Sequence, residues 1–121
     1  MKHGKKYIES AKLVDRTKFY EFHELLEELF PILHEKCEKH VFDGSLLFKW
    51  TGNGKNAPIL LMSHHDVVEA TGEWKHEPFS GDIDDKGCVW GRGTVDTKGS
   101  LFCIMSAVEE LIWEGYEPEC D

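Results

Sequence analysis

The stretch Pro58-Ile59-Leu60-Leu61-Met62-Ser63-His64-His65-Asp66 sets the architecture expected of this chain. Residues 58–63 are a continuous apolar run, the pattern of a strand covered on both faces. The run hands the chain directly to two histidines and an aspartate. In extended backbone, side chains two apart share a face, separated by about 6.5 Å along the strand. His64 and Asp66 therefore point one way and His65 the other. Open α/β sheets place ligands at the carboxyl ends of their strands, so an H-x-D at such an end is a candidate binding feature. Alone it specifies little, because a surface or hydrogen-bonded structural histidine explains it better.

Working outward, residues 45–51 (Ser-Leu-Leu-Phe-Lys-Trp-Thr) read as a strand that stops at the turn Gly52-Asn53-Gly54. Upstream, residues 1–16 are polar and lead into a helix beginning at Thr17. Phe19, Phe22, Leu25, Leu26, Leu29, Ile32 and Leu33 recur at three- and four-residue intervals. Thr17 is the expected N-cap, with Glu21 and Glu24 near the positive helix end. Pro31 lacks a backbone donor and is expected to kink or split the helix near Phe30. Downstream lies a looser segment, Ala70 to Phe79. Gly81–Ile83 and Cys88–Trp90 then flank Asp84-Asp85-Lys86-Gly87 as a hairpin. A second long helix is expected from Lys98 to Trp113, its stripe formed by Leu101, Ile104, Met105, Val108, Leu111 and Ile112. Gly115 suits a left-handed cap and Pro118 blocks continuation. This order suits an α/β fold, a layered sheet with helices on its faces.

The chain has 121 residues, a length for one small domain, and is 40% hydrophobic with seven Phe and four Trp, enough for a core. A net charge of −9 argues against a nucleic-acid partner, which needs a concentrated basic face. Most of that acidity serves solubility. Cys37, Cys88, Cys103 and Cys120 form no C-x-x-C pair, so free thiols in a reducing compartment are expected. No apolar core follows the basic N-terminus, and no run approaches the roughly 18 apolar residues of a membrane span. A soluble, cytoplasmic chain with no membrane partner is the expectation.

A second chemistry-bearing element is Gly91-Arg92-Gly93-Thr94-Val95-Asp96-Thr97-Lys98-Gly99, just before the second helix. Three glycines permit a tight turn from which a carboxylate can be aimed. One carboxylate has lone pairs for two cations. In isolation a plain loop with Asp96 as a helix cap explains it better. A phosphate-binding loop is weaker still, since the P-loop spacing is absent and Lys98 is followed by Gly.

Taken together, three segments resemble the di-zinc family of carboxypeptidase G, carboxypeptidase S, aminoacylase, acetylornithine deacetylase and succinyl-diaminopimelate desuccinylase. They are Leu60 through Val68, Trp74-Lys75-His76-Glu77-Pro78-Phe79-Ser80-Gly81, and Val89-Trp90-Gly91-Arg92-Gly93 through Gly99. The resemblance spans about residues 19–118. Phe22-His23, Phe30-Pro31, Leu46-Leu47 and Trp50 are most similar to the carboxypeptidase S branch. It implies that residues 1–121 are the N-terminal part of a zinc-dependent catalytic domain. His64 would be a terminal zinc ligand, Asp96 the carboxylate bridging two zinc ions, and Asp66 the residue that orients His64. Cobalt or manganese would suit the same donors. The family usually carries Asp after the bridging Asp, across a cis peptide. Thr97 stands there instead, which leaves the cis bond open.

The resemblance also implies gaps. A catalytic zinc takes about three protein ligands. The family's remaining ligands, its general-base Glu and its dimerisation domain lie further along. Glu109-Glu110 does not substitute, because its place in the amphipathic helix points both residues to solvent. Hydrolysis of a peptide or N-acyl amide bond is the function implied for the complete protein, with 121 residues alone expected to be inactive. An aminoacylase or deacetylase acting on N-acyl amino acids is the nearest alternative, and a truncated non-catalytic binding module is another. The exposed edge of an incomplete sheet predicts a homodimer. His76 is expected to have a structural loop role, and Arg92 and Lys98 internal ion pairs. His3, His23, His34 and His40 are expected to be solvated.

Overall fold

The computed structural model describes residues 16–121. Most of the polar lead-in, with His3, lies outside the described residues. The chain divides into two compact units, Met1–Trp50 and Thr51–Asp121. Together they hold helices and a two-stranded antiparallel sheet, an α/β composition.

In the first unit, α1 (Thr17–Leu29) and α2 (Pro31–Lys36) are separated at Phe30, as Pro31 requires. Pro31 is the first residue of α2, where its missing N–H costs nothing. Phe30 joins them without loss of backbone bonding. Its N–H donates to the Leu26 carbonyl (3.0 Å), and its own carbonyl accepts from His34 N (3.2 Å). The start of α1 differs from expectation. Arg16, not Thr17, occupies the cap position, with no side-chain cap bond and no acidic residue in the first turn. Arg16 instead turns its guanidinium to the Asp43 carboxylate (2.5 Å), while Glu21 pairs with Lys18.

Two strands follow, β1 (Glu38–Phe42) and β2 (Ser45–Lys49), antiparallel with Glu38 opposite Lys49 and Phe42 opposite Ser45. Sequence reading missed β1 and overran β2 by two residues. The signal was present in Phe42-Asp43-Gly44-Ser45. A two-residue Asp-Gly loop needs positive φ at both positions, and Asp43 (49°) and Gly44 (92°) supply it. Leu26, Phe30, Leu33 and Cys37 are buried together with His23. Thus His23 is not solvated. Burial pushes its pKa below the ordinary value, partly offset by a hydrogen bond with the Gly44 backbone. His34 is half-buried, edge-on to Phe48, and its Nδ1 donates to the Phe30 carbonyl (2.8 Å). His40 is half-buried beside Glu38 and Phe42.

The second unit is mostly loop, closed by α3 (Gly99–Trp113). Its C-terminus satisfies two orphan carbonyls: Tyr116 N–H donates to Leu111 (2.9 Å) and Gly115 N–H to Ile112 (3.0 Å). Of the expected stripe only Met105 is fully buried, and Leu111 is exposed. The largest departure is residues 58–63. They form no strand, and Ile59, Leu60, Leu61 and Met62 are 59–77% exposed. A central strand exists only when neighbours accept its ladder on both sides. Among the described residues no strand takes that place. Ile59 N–H reaches the Asp121 carbonyl (2.9 Å), and Gly52 and Asn53 bond to Asp121 and Pro118. The hairpin over residues 81–90 is present in reduced form, as one antiparallel bridge between Ile83 and Val89. All four cysteines are free thiols. Among the described residues no helix is long and apolar enough to cross a membrane.

Candidate metal centre

The 81–90 hairpin is a polar device. One Asp84 oxygen accepts from Lys86 N and Cys88 N (both 2.9 Å), and the other accepts from the Trp90 indole (3.0 Å). These donors, the indole foremost, hold its carboxyl below the ordinary range. Trp90 also stacks on His76 (4.6 Å between centroids), whose Nδ1 lies 3.4 Å from Asp82. His76 therefore packs within the loop as expected. Arg92 departs from expectation: its guanidinium sits over the Trp74 ring, 4.9 Å from the centroid, rather than against a carboxylate. Its N–H donates to the Pro78 carbonyl, which ties the glycine turn to the preceding loop.

That turn aims Asp96. Gly93 adopts φ +83°, and a Cβ there would lie 2.5 Å from Val67 Cγ1, so any other residue is strained and requires the Val67 side chain to shift. The next five residues, Thr94–Lys98, form one wide irregular turn before α3. Within it Asp96 (φ −116°) and Thr97 (φ −141°) leave helical backbone, and the Asp96–Thr97 peptide bond is cis. Asp96 is therefore not a helix cap. Among the described residues Lys98 forms no ion pair at contact distance. Burial lowers its pKa while the charge of Asp66 opposes that shift.

His64, Asp66 and Asp96 come together. His64 Nε2 lies 3.0 Å from Asp96 Oδ1. On the other side of the ring, Nδ1 lies 3.2 Å from both the carbonyl and a carboxylate oxygen of Asp66. The Asp66 groups and the Asp96 carboxylate are all acceptors, so each ring nitrogen faces one, and a neutral imidazole, with one proton, leaves one nitrogen facing oxygen lone pairs. Desolvation, the largest single influence, lowers the His64 pKa. The Asp66 carbonyl, the Asp96 carboxylate and both negative charges outweigh it, and the net shift is upward. Either a proton or a cation between Nε2 and Asp96 would relieve the facing lone pairs, and the two compete. His65 is half-buried, unlike exposed His64.

Sequence reading noted Thr97 only as standing where the family usually has Asp, and did not single out Ser63. Ser63 Oγ lies 2.8 Å from Thr97 Oγ1 and donates to the Thr97 carbonyl at 3.1 Å. Two hydroxyl residues flanking the two candidate donors were the available signal. An imidazole nitrogen and a carboxylate suit zinc in kind. In number they fall short, since no group of three or more His, Cys, Asp or Glu converges as a metal site among the described residues.

The chain is 42% identical over 105 residues to probable carboxypeptidase S-like 2 of Dictyostelium discoideum, covering 84% of this chain and 20% of that protein. To carboxypeptidase S of Saccharomyces cerevisiae it is 42% identical over 108 residues, covering 83% and 19%. To the N-fatty-acyl-amino acid synthase/hydrolase PM20D1 of Bos taurus it is 34% identical over 114 residues, covering 90% and 22%. The chain thus spans about a fifth of the length of the curated relatives it matches. The model of peptidase family M20/M25/M40 matches residues 60–121, the segment that carries His64, Asp66, Asp96 and the turn between them, and the chain belongs to that family.

Proposed function

We propose that this chain carries the first donors of a zinc-dependent hydrolase of the carboxypeptidase type, acting on peptide or N-acyl amide bonds. The observation that carries the reading is the convergence of His64 Nε2 and Asp96 Oδ1 at 3.0 Å with Asp66 behind the imidazole. In this reading His64 and Asp96 hold the metal, and Asp66 fixes the tautomer and direction of His64. Bound zinc would supply a water acidic enough to attack a carbonyl near neutral pH. The chain's own contribution is orientation: the Asp66 carboxylate keeps the His64 proton on Nδ1, and the Gly91–Gly93 turn presents Asp96. The general base and remaining ligands come from residues other than those described. These belong to a layered catalytic domain in which residues 58–63 take their place as a covered strand.

Carboxypeptidase S and the probable carboxypeptidase S-like relative support a peptide with a free carboxyl end as substrate. The bovine relative supports N-acyl amino acids as the second class. Both present an amide carbonyl beside a carboxylate. The free thiols fit a reducing compartment such as the cytoplasm.

The test compares the natural gene product with its His64→Ala and Asp96→Ala variants. Each variant should lose bound zinc and cleavage of N-acyl amino acids and dipeptides, while Asp66→Ala should retain weakened zinc binding. Unchanged turnover in His64→Ala would refute the assignment. The 121-residue chain by itself should hydrolyse neither substrate class.

A further inference from the structure

The two candidate donors sit on segments that no sheet joins. Residues 58–63 form no strand, and Asp96 lies in an irregular turn. Something else must hold Nε2 and Oδ1 at 3.0 Å. Val67 packs against Gly93, but an apolar contact has little directionality. The directional link is Ser63 with Thr97. Ser63 immediately precedes His64 and Thr97 immediately follows Asp96, so a bond between them acts one residue from each donor.

The hydroxyl geometry sets the direction of both bonds. Ser63 Oγ has one proton, and it is donated to the Thr97 carbonyl at 3.1 Å. The 2.8 Å contact between Ser63 Oγ and Thr97 Oγ1 must then be made by the Thr97 proton, with Ser63 accepting. Each hydroxyl is used once as donor, and the pair is reciprocal. Both residues are half-buried, whereas His64, Asp66 and Asp96 are exposed. Water therefore competes less for this pair than for the donors themselves.

The geometry points to Ser63 and Thr97 as positioning residues: a reciprocal hydroxyl clamp that sets the separation of His64 Nε2 and Asp96 Oδ1, and with it the affinity of the site for a divalent cation. The clamp touches neither metal nor substrate. It acts through the backbone of its neighbours. This inference rests on the reading of His64 and Asp96 as metal donors, and the experiment separates the two.

Zinc affinity is measured on the natural gene product by competition with a chromophoric chelator, alongside far-ultraviolet circular dichroism and melting temperature. Ser63→Ala removes both bonds and should weaken zinc binding about tenfold, the size usual for residues that orient ligands. Thr97→Val keeps the shape and the carbonyl but loses one bond, and should weaken it about threefold, while Thr97→Ser should match the parent protein. The double variant Ser63→Ala/Thr97→Val should bind no more weakly than Ser63→Ala, because the same bond is lost in both. Should Ser63→Ala fail to fold, the Thr97→Val and Thr97→Ser pair decides alone. A purely structural pair would lower the melting temperature and leave zinc affinity unchanged, and that result overturns the clamp. Additive losses in the double variant also overturn it. If His64→Ala binds zinc as tightly as the parent protein, the donor assignment falls and takes the clamp with it. If His64→Ala loses zinc while Thr97→Val does not, the clamp alone falls.

Discussion

The two units of this chain solve opposite problems. Residues 16–50 fold on local information: α1, α2 and a two-residue hairpin bring neighbours in sequence together around Leu26, Phe30, Leu33 and Cys37. Residues 51–121 hold the candidate chemistry but bury only Met105 among their large apolar side chains. Polar contacts hold them instead: Asp84 with three N–H donors, His76 against Trp90, Arg92 over Trp74, Ser63 with Thr97. The difference shows that a site can be shaped by hydrogen bonds before an apolar core closes around it. It also shows why the more strongly apolar segment, residues 59–62, is the less buried one. Burial requires a partner surface, and β2 has β1 across a two-residue loop while residues 59–62 have no strand partner among those described.

That contrast can be broken by substitution. The largest effect should come from Leu33→Ala in the first unit, where Leu33 is 3% exposed. A loss of about 2–5 kcal/mol in urea unfolding is expected from the cavity it leaves. A cost below about 0.5 kcal/mol would show that this core is not what holds the unit together. Next, His64→Ala should weaken zinc binding by about 100-fold or more, or about 2.7 kcal/mol by chelator competition. The urea midpoint of the helix–hairpin unit should not move.

Gly44→Ala forces a side chain onto φ +92° and should cost about 1–3 kcal/mol in the first unit only. Circular dichroism at the strand minimum would report it. A smaller effect concerns pH. Burial depresses the His23 pKa in the folded chain below the ordinary value near 6.5. The unfolded chain therefore takes up this proton first as pH falls. The associated stability is complete above about pH 6.5 and is lost as pH drops through the folded pKa. Urea midpoints measured through this range should fall more steeply for the parent chain than for His23→Gln, and equal slopes would remove His23 from the account. The smallest effect is expected for Met62→Ala. At 77% exposure it should change the stability of the 121-residue chain by less than about 0.5 kcal/mol. A larger loss would mean that residues 59–62 are covered in solution.

Much of the site was legible in the residues. The spacing of His64 to Asp66 needs only the period of an extended chain, and the chemistry of Gly91 through Gly99 needs only the properties of glycine and a carboxylate. The split at Phe30, the cap at Gly115 and the loop role of His76 followed from equally local rules. Thr17 failed as a cap because the helix already includes it, which leaves Arg16 in the cap position. His23 failed as a solvated histidine because its neighbours Leu26 and Phe30 turn inward with it.

By itself, then, the sequence determined what residues 58–66 and 91–99 carry: an imidazole, two carboxylates, and glycines that let the backbone turn. Only the tertiary structure decided that His64 Nε2 meets Asp96 Oδ1, that Ser63 and Thr97 link the two segments, and that Ile59 through Met62 stay exposed. The physical reason is range. Backbone preference and side-chain chemistry are properties of a few adjacent residues. A meeting across 32 positions, or the lack of a covering strand, depends on every segment that competes for the same surface.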